Sequence, residues 1–137
     1  MGKHGKIIIG LDLIKDEDTL LAAYDDSEGV TANFNLNILD RINSELGANF
    51  DTDTGFSHKA VFNRVDSRIE MHLESTRAQT IRIDNDVFSF KAGETIHTEN
   101  SHKYSLGSVA ALCKQAGLYI QRHWNDEQNE FGVFELT

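Results

Sequence analysis

The chain contains 137 residues, of which 39% are hydrophobic and 26% are charged. This composition is typical of one soluble globular domain that is long enough to bury a hydrophobic core. The formal net charge of −9 argues against a nucleic-acid-binding scaffold, because such a scaffold needs clustered Lys and Arg to neutralise phosphates. Apolar runs such as IIIG and LLAA are far too short to span a bilayer. We therefore expect neither a nucleic acid nor a membrane as the partner.

Two features of the sequence favour a cytoplasmic location. The amino-terminal segment MGKHGKIIIG has no long apolar stretch followed by a small-residue cleavage site, so we expect no secretory signal. Cys113 is the single cysteine of the chain and cannot form an internal disulfide, which fits a reducing compartment. No activating base is evident near Cys113, and we expect a buried structural thiol on a helix.

The first part of the chain predicts a strand followed by a short helix. Lys6 to Ile14, KIIIGLDLI, begins with β-branched residues and is typical of a buried strand. The acidic residues within 15–18 suit a helix amino terminus. Leu20 and Tyr24 then lie at helical spacing, and residues 25–29 end the segment.

The clearest helix is predicted from Val30 to Leu46. Its apolar residues recur at every fourth position, and Gly47 suits the position just past its carboxyl end. We expect this apolar stripe to belong to the core. The stripe consists of Val30, Phe34, Ile38, Ile42 and Leu46, and Leu39 widens it.

Beyond Phe56 the pattern of apolar residues changes to a period of two, which indicates β-strands. Alternation is found in residues 67–75 (SRIEMHLES), 80–84 (TIRID) and 87–91 (VFSFK), with a tight turn predicted at Asn85-Asp86. This pattern predicts an antiparallel meander with one buried face. The apolar positions expected on that face are Ile69, Met71, Leu73, Ile81, Ile83, Phe88 and Phe90.

The last part of the chain predicts a helix and two strands. Ser105 suits the N-cap of a helix over residues 106–115, which Gly117 would close. Residues 118–124 and 131–136 are typical of strands around the polar turn NDEQNE. The order of elements is strand, two helices, antiparallel sheet, helix and two strands, which predicts an α+β fold.

The stretch GETIHTENSHKYS, residues 93–105, concentrates ionisable side chains and hydroxyls. One hypothesis is a metal-binding β protein that uses His97, Glu99 and His102, because histidine and carboxylate ligands suit zinc or non-haem iron. His72, with Glu70 or Glu74, would join from a neighbouring strand. However, the spacing matches no strong metal motif such as H-E-x-x-H.

A second hypothesis for the same stretch is a polar pocket at the edge of a sheet. Glu99 would accept hydrogen bonds there, and Ser101 would donate or accept them, with Tyr104 nearby. A third is that Thr98, Asn100 and Ser101 satisfy backbone groups where a strand passes into a helix. The chain contains no G-x-S-x-G nucleophile motif and no glycine-rich phosphate-binding motif.

Three segments in order closely resemble the S-adenosylmethionine-dependent histidine methyltransferase family of ergothioneine biosynthesis. They are AAYDDSEGVTANFNLNILDRINSELGANF, RIEMHLEST and FKAGETIHTENSHKYS. The resemblance covers nearly the whole chain from about Ile7. It implies threefold methylation of the α-amino group of histidine, with S-adenosylmethionine as the cofactor.

The resemblance also implies an incomplete methyltransferase fold. Residues 1–29 and 105–137 would be carboxyl-terminal elements of a Rossmann-like domain, including its late strands at Ile7–Leu13 and Leu118–Thr137. Residues 30–104 would be the substrate-binding insertion, built on an antiparallel sheet with helices.

The resemblance also assigns residues of the family's substrate pocket to individual positions of this sequence. Tyr24 matches a tyrosine near the substrate carboxylate and the methyl-transfer centre, and Glu99 and Ser101 would recognise the ring nitrogens of the imidazole. Retention of Met71 and Glu99 favours histidine over an indole substrate. The substrate-binding residues implied by the resemblance are Tyr24, Thr31, Phe34, Met71, Glu99 and Ser101.

A complete member of this family is much longer, and the glycine-bearing cofactor loop has no counterpart here. The resemblance therefore implies the carboxyl-terminal part of an enzyme that is inactive alone, pairs with a complementary amino-terminal half and binds a histidine-like amino acid. The alternative is a non-catalytic module that binds a small molecule or a partner protein. A homodimer is one form of this alternative, since self-association would cover the apolar surface and strand edges that missing strands expose.

Overall fold

The structure is a computed structural model that describes residues 5–137, so residues 1–4, part of the segment read for a secretory signal, lie outside the described residues. The described chain is a mixed α and β protein with antiparallel sheets. Its elements are β1 (Ile7–Asp12), α1 (Glu17–Tyr24), α2 (Val30–Leu46), β2 (Phe56–Asn63), β3 (Arg68–Ser75), β4 (Gln79–Ile83), β5 (Asp86–Phe90), β6 (Thr95–His102), α3 (Leu106–Gln115), β7 (Ile120–Asn125) and β8 (Phe131–Leu136).

The described residues divide into two compact units. The first comprises residues 5–16, 64–68 and 102–137, and the second comprises residues 17–63 and 69–101. The predicted domain boundaries at residues 29/30 and 104/105 stay a prediction. The assignment of either unit to a methyltransferase domain stays a prediction.

The first unit contains a three-stranded sheet in the order β1-β8-β7. β8 pairs antiparallel with both neighbours, with Ile7 opposite Leu136 on one side and Trp124 opposite Val133 on the other. Because β1 and β7 are both antiparallel to β8, they run parallel to each other. The two strands predicted at the end of the chain are confirmed.

Helix α3 packs against this sheet through Val109 and Cys113, which form a core cluster with Leu13, Phe134 and Leu136. The thiol of Cys113 is buried, as expected of a structural cysteine. The helix begins with a capping box: the Ser105 hydroxyl accepts from the backbone N–H of Ser108, and the Ser108 hydroxyl accepts from that of Ser105. The prediction of Ser105 as the N-cap is confirmed.

A buried ion pair also holds the first unit together. The side chain of Lys103 is fully buried, and its Nζ lies 2.7 Å from Oδ2 of Asp12. Burial by itself would raise the pKa of Asp12, but hydrogen bonds from Lys103 and Lys15 outweigh burial and lower that pKa. The pair gives the buried ammonium group the partner that it needs.

The second unit contains a three-stranded sheet in the order β2-β3-β6, a two-stranded antiparallel sheet β4-β5, and helices α1 and α2. Leu39 of α2 packs with apolar side chains of the strands, so the helix covers one face of the sheet. The core cluster consists of Leu39, Phe50, Phe56, Leu73 and Ile81.

The alternation predicted for β3 is confirmed, because Ile69, Met71 and Leu73 are buried. The prediction of one continuous meander is wrong. β6 pairs with β3 rather than with β5, which separates β4-β5 as a sheet of its own. Phe88 of β5 is exposed rather than buried.

Two further details of the strands differ from the predictions. The prediction of β1 as a buried strand is wrong, since exposed and partly buried residues alternate along Ile7–Asp12. The predicted turn at Asn85-Asp86 begins one residue earlier, at Asp84, which has a positive φ of 51°.

The bounds of α2 agree with the prediction, but its predicted core stripe is confirmed only in part, since Leu39 is buried and Ile42 packs against the core whereas the other positions are exposed. Val30, Phe34, Ile38 and Leu46 are 64%, 66%, 41% and 57% exposed, whereas Asn35 and Leu39 are only 3% and 1% exposed. A spacing of four residues advances about 40° beyond a full helical turn at each step, so a stripe at this spacing winds off one face. A polar residue, Asn35, lies on the buried line instead.

In the part of the chain that the structure describes, no helix combines the length and the apolar character that crossing a bilayer requires.

The burial of α2 predicts unequal effects of two leucine substitutions. Leu39→Ala should lower the free energy of unfolding by about 2–5 kcal/mol, because it opens a cavity in a packed core. Leu46→Ala in the same helix removes an exposed side chain and should change stability by less than about 0.5 kcal/mol. Urea unfolding followed by circular dichroism measures both values, and equal losses would contradict the observed helix orientation.

Candidate functional site

A cavity of 180 Å³ lies in the second unit where α2 meets β6. Phe34 and Ile38 give it an apolar wall, which accounts for two of the exposed residues of the helix. Glu99 of β6 also lines it. The lining residues are Phe34, Asn35, Asn37, Ile38, Arg41, Thr98 and Glu99.

Two hydroxyl groups meet next to this part of β6. The Tyr24 Oη and the Ser101 Oγ lie 2.6 Å apart, so one of them donates a hydrogen bond to the other. Tyr24 is the last residue of α1, and Ser101 follows Glu99 by two residues on β6. The contact therefore ties the end of the first helix to the strand that carries Glu99.

Thr31 lies in the first turn of α2, and its position depends on Asp26. The Asp26 carboxylate accepts hydrogen bonds from the backbone N–H groups of Val30 at 2.9 Å and Thr31 at 2.8 Å. These bonds lower the pKa of Asp26 from 3.8 to about 2, because they stabilise its ionised form. The bond from Thr31 has the larger effect. Asp26 thus satisfies two of the amides that a helix amino terminus leaves unpaired.

Met71 is buried on β3 and is not among the residues that line the cavity. Its backbone carbonyl accepts a hydrogen bond from the Thr98 hydroxyl at 2.9 Å. The same hydroxyl lies 2.6 Å from Oδ1 of Asn35. Thr98 therefore satisfies a backbone carbonyl, as one hypothesis for this stretch expected, and also contacts a buried side chain.

The buried side chain is the centre of a set of polar contacts. Asn35 Nδ2 donates to the backbone carbonyl of His72 at 3.0 Å and lies 3.0 Å from Nδ1 of His58. The other ring nitrogen of His58, Nε2, lies 2.7 Å from the backbone carbonyl of Tyr24. We call Asn35, His58 and Thr98, with the carbonyls that they contact, the Asn35 network.

Sequence reasoning missed Asn35 and His58. The signal that could have found Asn35 is its place one helical turn before Leu39, which puts both residues on one line of the helix. For His58, alternation along β2 indicates only which face of the strand it occupies. The partners of both residues come from other elements, which the sequence does not reveal.

The structure thus brings together some of the six predicted pocket residues. Phe34 and Glu99 share the cavity, and Tyr24 and Ser101 share a hydrogen bond. Thr31 lies one helical turn before Asn35, and the Met71 carbonyl lies in the Asn35 network. The roles of the six residues in binding a substrate stay predictions.

Part of the predicted metal set lies together. Among the described residues, Glu70, His72 and His97 have ligand atoms within 4.8 Å of one another, and this group omits Glu99 and His102. The rings of His72 and His97 stack with centroids 4.6 Å apart at an angle of 24°. This group, which does not include Glu99, is the place where these side chains could hold a metal ion.

His97 has other polar contacts on its own strand. Its Nε2 lies 2.8 Å from Oδ1 of Asn100 and 3.2 Å from the carbonyl of Glu99. These contacts hold the ring against β6, and Glu99 is among the residues that line the cavity. The geometry therefore favours a pocket, rather than a metal centre, at Glu99.

Two of the described glycines leave no room for a nucleotide-type cofactor. A Cβ added at Gly10 would lie 2.7 Å from Cζ of Phe131, and one at Gly132 would lie 2.7 Å from Cε2 of Phe134. Aromatic rings of the protein thus occupy the space beside both glycines. A nucleoside-binding turn instead needs backbone that approaches the ligand at glycines, and Gly10 and Gly132 do not fit that requirement.

Comparison with known proteins identifies the family. All of residues 1–137 match the profile of the family described as histidine-specific methyltransferase, S-adenosylmethionine-dependent. The chain belongs to this methyltransferase family.

Similar proteins carry names from the same family. The chain is 43% identical to histidine N-alpha-methyltransferase of Mycobacterium tuberculosis over 129 residues, which are 93% of this chain and 40% of that protein. It is 43% identical to the enzyme of the same name from Mycolicibacterium smegmatis over 130 residues, again 93% and 40%. Ergothioneine biosynthesis protein 1 of Schizosaccharomyces pombe is 26% identical over 98% of this chain and 17% of its own length. The chain thus spans about two-fifths of the length of the bacterial methyltransferases.

The bonds of Asp26 predict how the α1–α2 loop responds to acid. The folded pKa is lower than the ordinary value, so the stabilisation is complete above about pH 4. It is lost as the pH falls through about 2. A carbon-detected NMR titration of the Asp26 carboxyl group should give a midpoint near 2, and a midpoint near 3.8 would contradict the two hydrogen bonds.

The same bonds can be removed at neutral pH. Asp26→Ala should accelerate hydrogen exchange of the Thr31 amide, because that N–H loses its acceptor. Asp25→Ala removes a neighbouring exposed carboxylate and serves as the matched control. Equal exchange of the Thr31 amide in the two variants would show that Asp26 does not cap the helix.

Proposed function

We propose that this chain is the carboxyl-terminal, substrate-recognising part of an S-adenosylmethionine-dependent methyltransferase that methylates the α-amino group of histidine. The observation that carries the proposal is the cavity shared by Phe34 and Glu99, in a chain that matches the histidine-specific family along its whole length. The names of the bacterial relatives support the same substrate.

The polar groups at the cavity suit an imidazole ring. The carboxylate of Glu99 can accept an N–H of the ring, and the Ser101 hydroxyl can donate to or accept from the other nitrogen. Tyr24 orients that hydroxyl through the 2.6 Å contact. Phe34 supplies an aromatic wall, and we assign Thr31 and Met71 to the surroundings of the same substrate.

This chemistry gives selectivity as well as affinity. An apolar analogue of histidine would leave the carboxylate and the hydroxyl without partners after displacing their water. Sites that hydrogen-bond their substrate discriminate strongly against analogues that lack those groups. We therefore propose histidine, rather than an amino acid with an apolar ring, as the ligand.

S-adenosylmethionine supplies the electrophilic methyl group when it is bound. It would transfer that methyl group to the α-amino nitrogen of histidine, and the residues of this chain would orient the amine that receives it and releases a proton. Because the sequence has no glycine-rich phosphate-binding motif and Gly10 and Gly132 do not fit a nucleoside, we assign cofactor binding to a part of the enzyme that the longer relatives carry. This chain orients the amino acid but, alone, transfers no methyl group.

The complementary amino-terminal half is the partner that we propose for the first unit. Several large apolar side chains of that unit are exposed, among them Ile8, Leu112, Tyr119 and Trp124. Exposed apolar groups of this kind favour burial against a partner. A homodimer that covers the same side chains is the alternative. We also propose that β1, β7 and β8 are late strands of a Rossmann-like sheet, and the parallel directions of β1 and β7 on either side of β8 support this assignment. A cytoplasmic location is part of the same proposal.

The proposal predicts histidine binding without catalysis. Isothermal titration of the chain should show saturable binding of histidine and weaker binding of phenylalanine. Glu99→Ala should weaken the histidine affinity roughly 10- to 100-fold, because a hydrogen bond to a charged group contributes about 1.5–3 kcal/mol. Methyl transfer should appear only after the complementary amino-terminal half is added.

The control for Glu99 is Glu28→Ala, which removes an exposed carboxylate of the second unit outside the cavity and should leave the affinity unchanged. Equal affinities for histidine and phenylalanine would refute imidazole recognition. Methyl transfer by the chain alone would refute the assignment of the cofactor site to another part of the enzyme.

A further inference from the structure

Four elements of the second unit carry the proposed pocket residues, and the Asn35 network contacts each of them. The carbonyl of Tyr24, at the end of α1, lies against His58, while Asn35 itself belongs to α2. The carbonyl of His72 on β3 accepts from Asn35, and Thr98 on β6 lies against its Oδ1. His58 adds a fifth element, β2.

The pocket residues are close neighbours of these contacts along the chain. Phe34 immediately precedes Asn35, and Thr31 precedes it by one helical turn, on the same line of the helix. Glu99 immediately follows Thr98. Tyr24 and Met71 take part through their own backbone carbonyls. A shift of the Asn35 side chain would therefore move the backbone that presents the pocket.

The orientation of the Asn35 amide is fixed by its partners. The backbone carbonyl of His72 can only accept a hydrogen bond, so the nitrogen of the amide must face it. The amide oxygen then faces the Thr98 hydroxyl, whose single proton is shared between Oδ1 of Asn35 at 2.6 Å and the backbone carbonyl of Met71 at 2.9 Å. Reversing the amide would set two oxygens against each other at the His72 carbonyl.

The fixed amide in turn sets the tautomer of His58. The NH₂ group of Asn35 donates toward Nδ1 of His58, so Nδ1 must be the unprotonated nitrogen. The proton is then on Nε2, which donates it to the carbonyl of Tyr24 at 2.7 Å. Each donor in the chain of contacts meets an acceptor only with this neutral form of the ring.

We propose that Asn35 and His58 are positioning residues of the histidine pocket, with His58 held as the neutral tautomer that carries its proton on Nε2. The inference rests on the proposed function for the identity of the ligand, but the tautomer follows from the network alone. Neither residue contacts the imidazole of the substrate. They hold α1, α2, β3 and β6 in the arrangement that brings Phe34, Glu99 and Ser101 to it.

The first test reads the tautomer without any ligand. In the ¹⁵N-labelled chain, long-range ¹H–¹⁵N spectra of the histidine rings should show His58 with a protonated Nε2 and an unprotonated Nδ1. Asn35→Asp keeps the shape of the side chain but replaces the donor by an oxygen, so Nδ1 of His58 should become protonated. A wild-type His58 with a protonated Nδ1 would overturn the inference.

The second test measures histidine affinity in variants with an intact backbone amide spectrum. Asn35→Asp and His58→Gln should each weaken binding about tenfold or more, since each removes at least one buried hydrogen bond and leaves its partner unpaired. Asn33→Ala on the exposed side of the same helix is the matched control and should bind as the wild type does. Wild-type affinity in both network variants would overturn the positioning role. His58→Gln decides the outcome if Asn35→Asp does not fold.

The two proposals fail in different ways. If the wild-type chain binds no histidine, the proposed function fails, and hydrogen exchange of the α1 and α2 amides decides the inference. Faster exchange in Asn35→Asp and His58→Gln than in Asn33→Ala would support a positioning network. Unchanged exchange in both variants would overturn it.

Discussion

The second unit is organised around the need of one buried amide for hydrogen-bond partners. Asn35 is 3% exposed, and an unpaired polar group at such a site costs about 1–3 kcal/mol. Its amide finds partners on β2, β3 and β6. A hydrophobic residue in place of Asn35 would pack against the strands in many relative orientations. The amide forms all its hydrogen bonds in only one of them. This constraint fixes where the helix that carries Phe34 lies relative to Glu99.

The same constraint connects packing with recognition. Leu39, one turn after Asn35, fills the apolar core beneath the helix, while Phe34 and Ile38 remain exposed to form a cavity wall. The helix therefore has an anchoring line and a separate binding face. At its amino end Asp26 supplies a negative charge to otherwise unpaired amides, which fixes Thr31 one turn before Asn35 on the anchoring line.

The sequence predicts the helices and most strands well, because their signals are local. The bounds of α2 follow from its apolar periodicity and from Gly47, and those of α3 follow from Ser105 and Gly117. The buried line of α2 could not be predicted, since an apolar stripe can serve either the core or a ligand. The pairing of β6 with β3 depends on contacts between distant segments. Glu99 and Ser101 were candidates from their residue types alone, Tyr24 came from the family resemblance, and Asn35 and His58 required the structure.

The position of bound histidine is the most direct test of the proposed histidine pocket. Intermolecular nuclear Overhauser effects between ¹³C-labelled chain and unlabelled histidine would place the imidazole relative to named side chains. The account predicts contacts from the imidazole protons to Phe34 and Glu99, and a chemical-shift change at Ser101 that saturates with them. Contacts instead to His72 and His97, or to the first unit, would contradict the proposed histidine pocket.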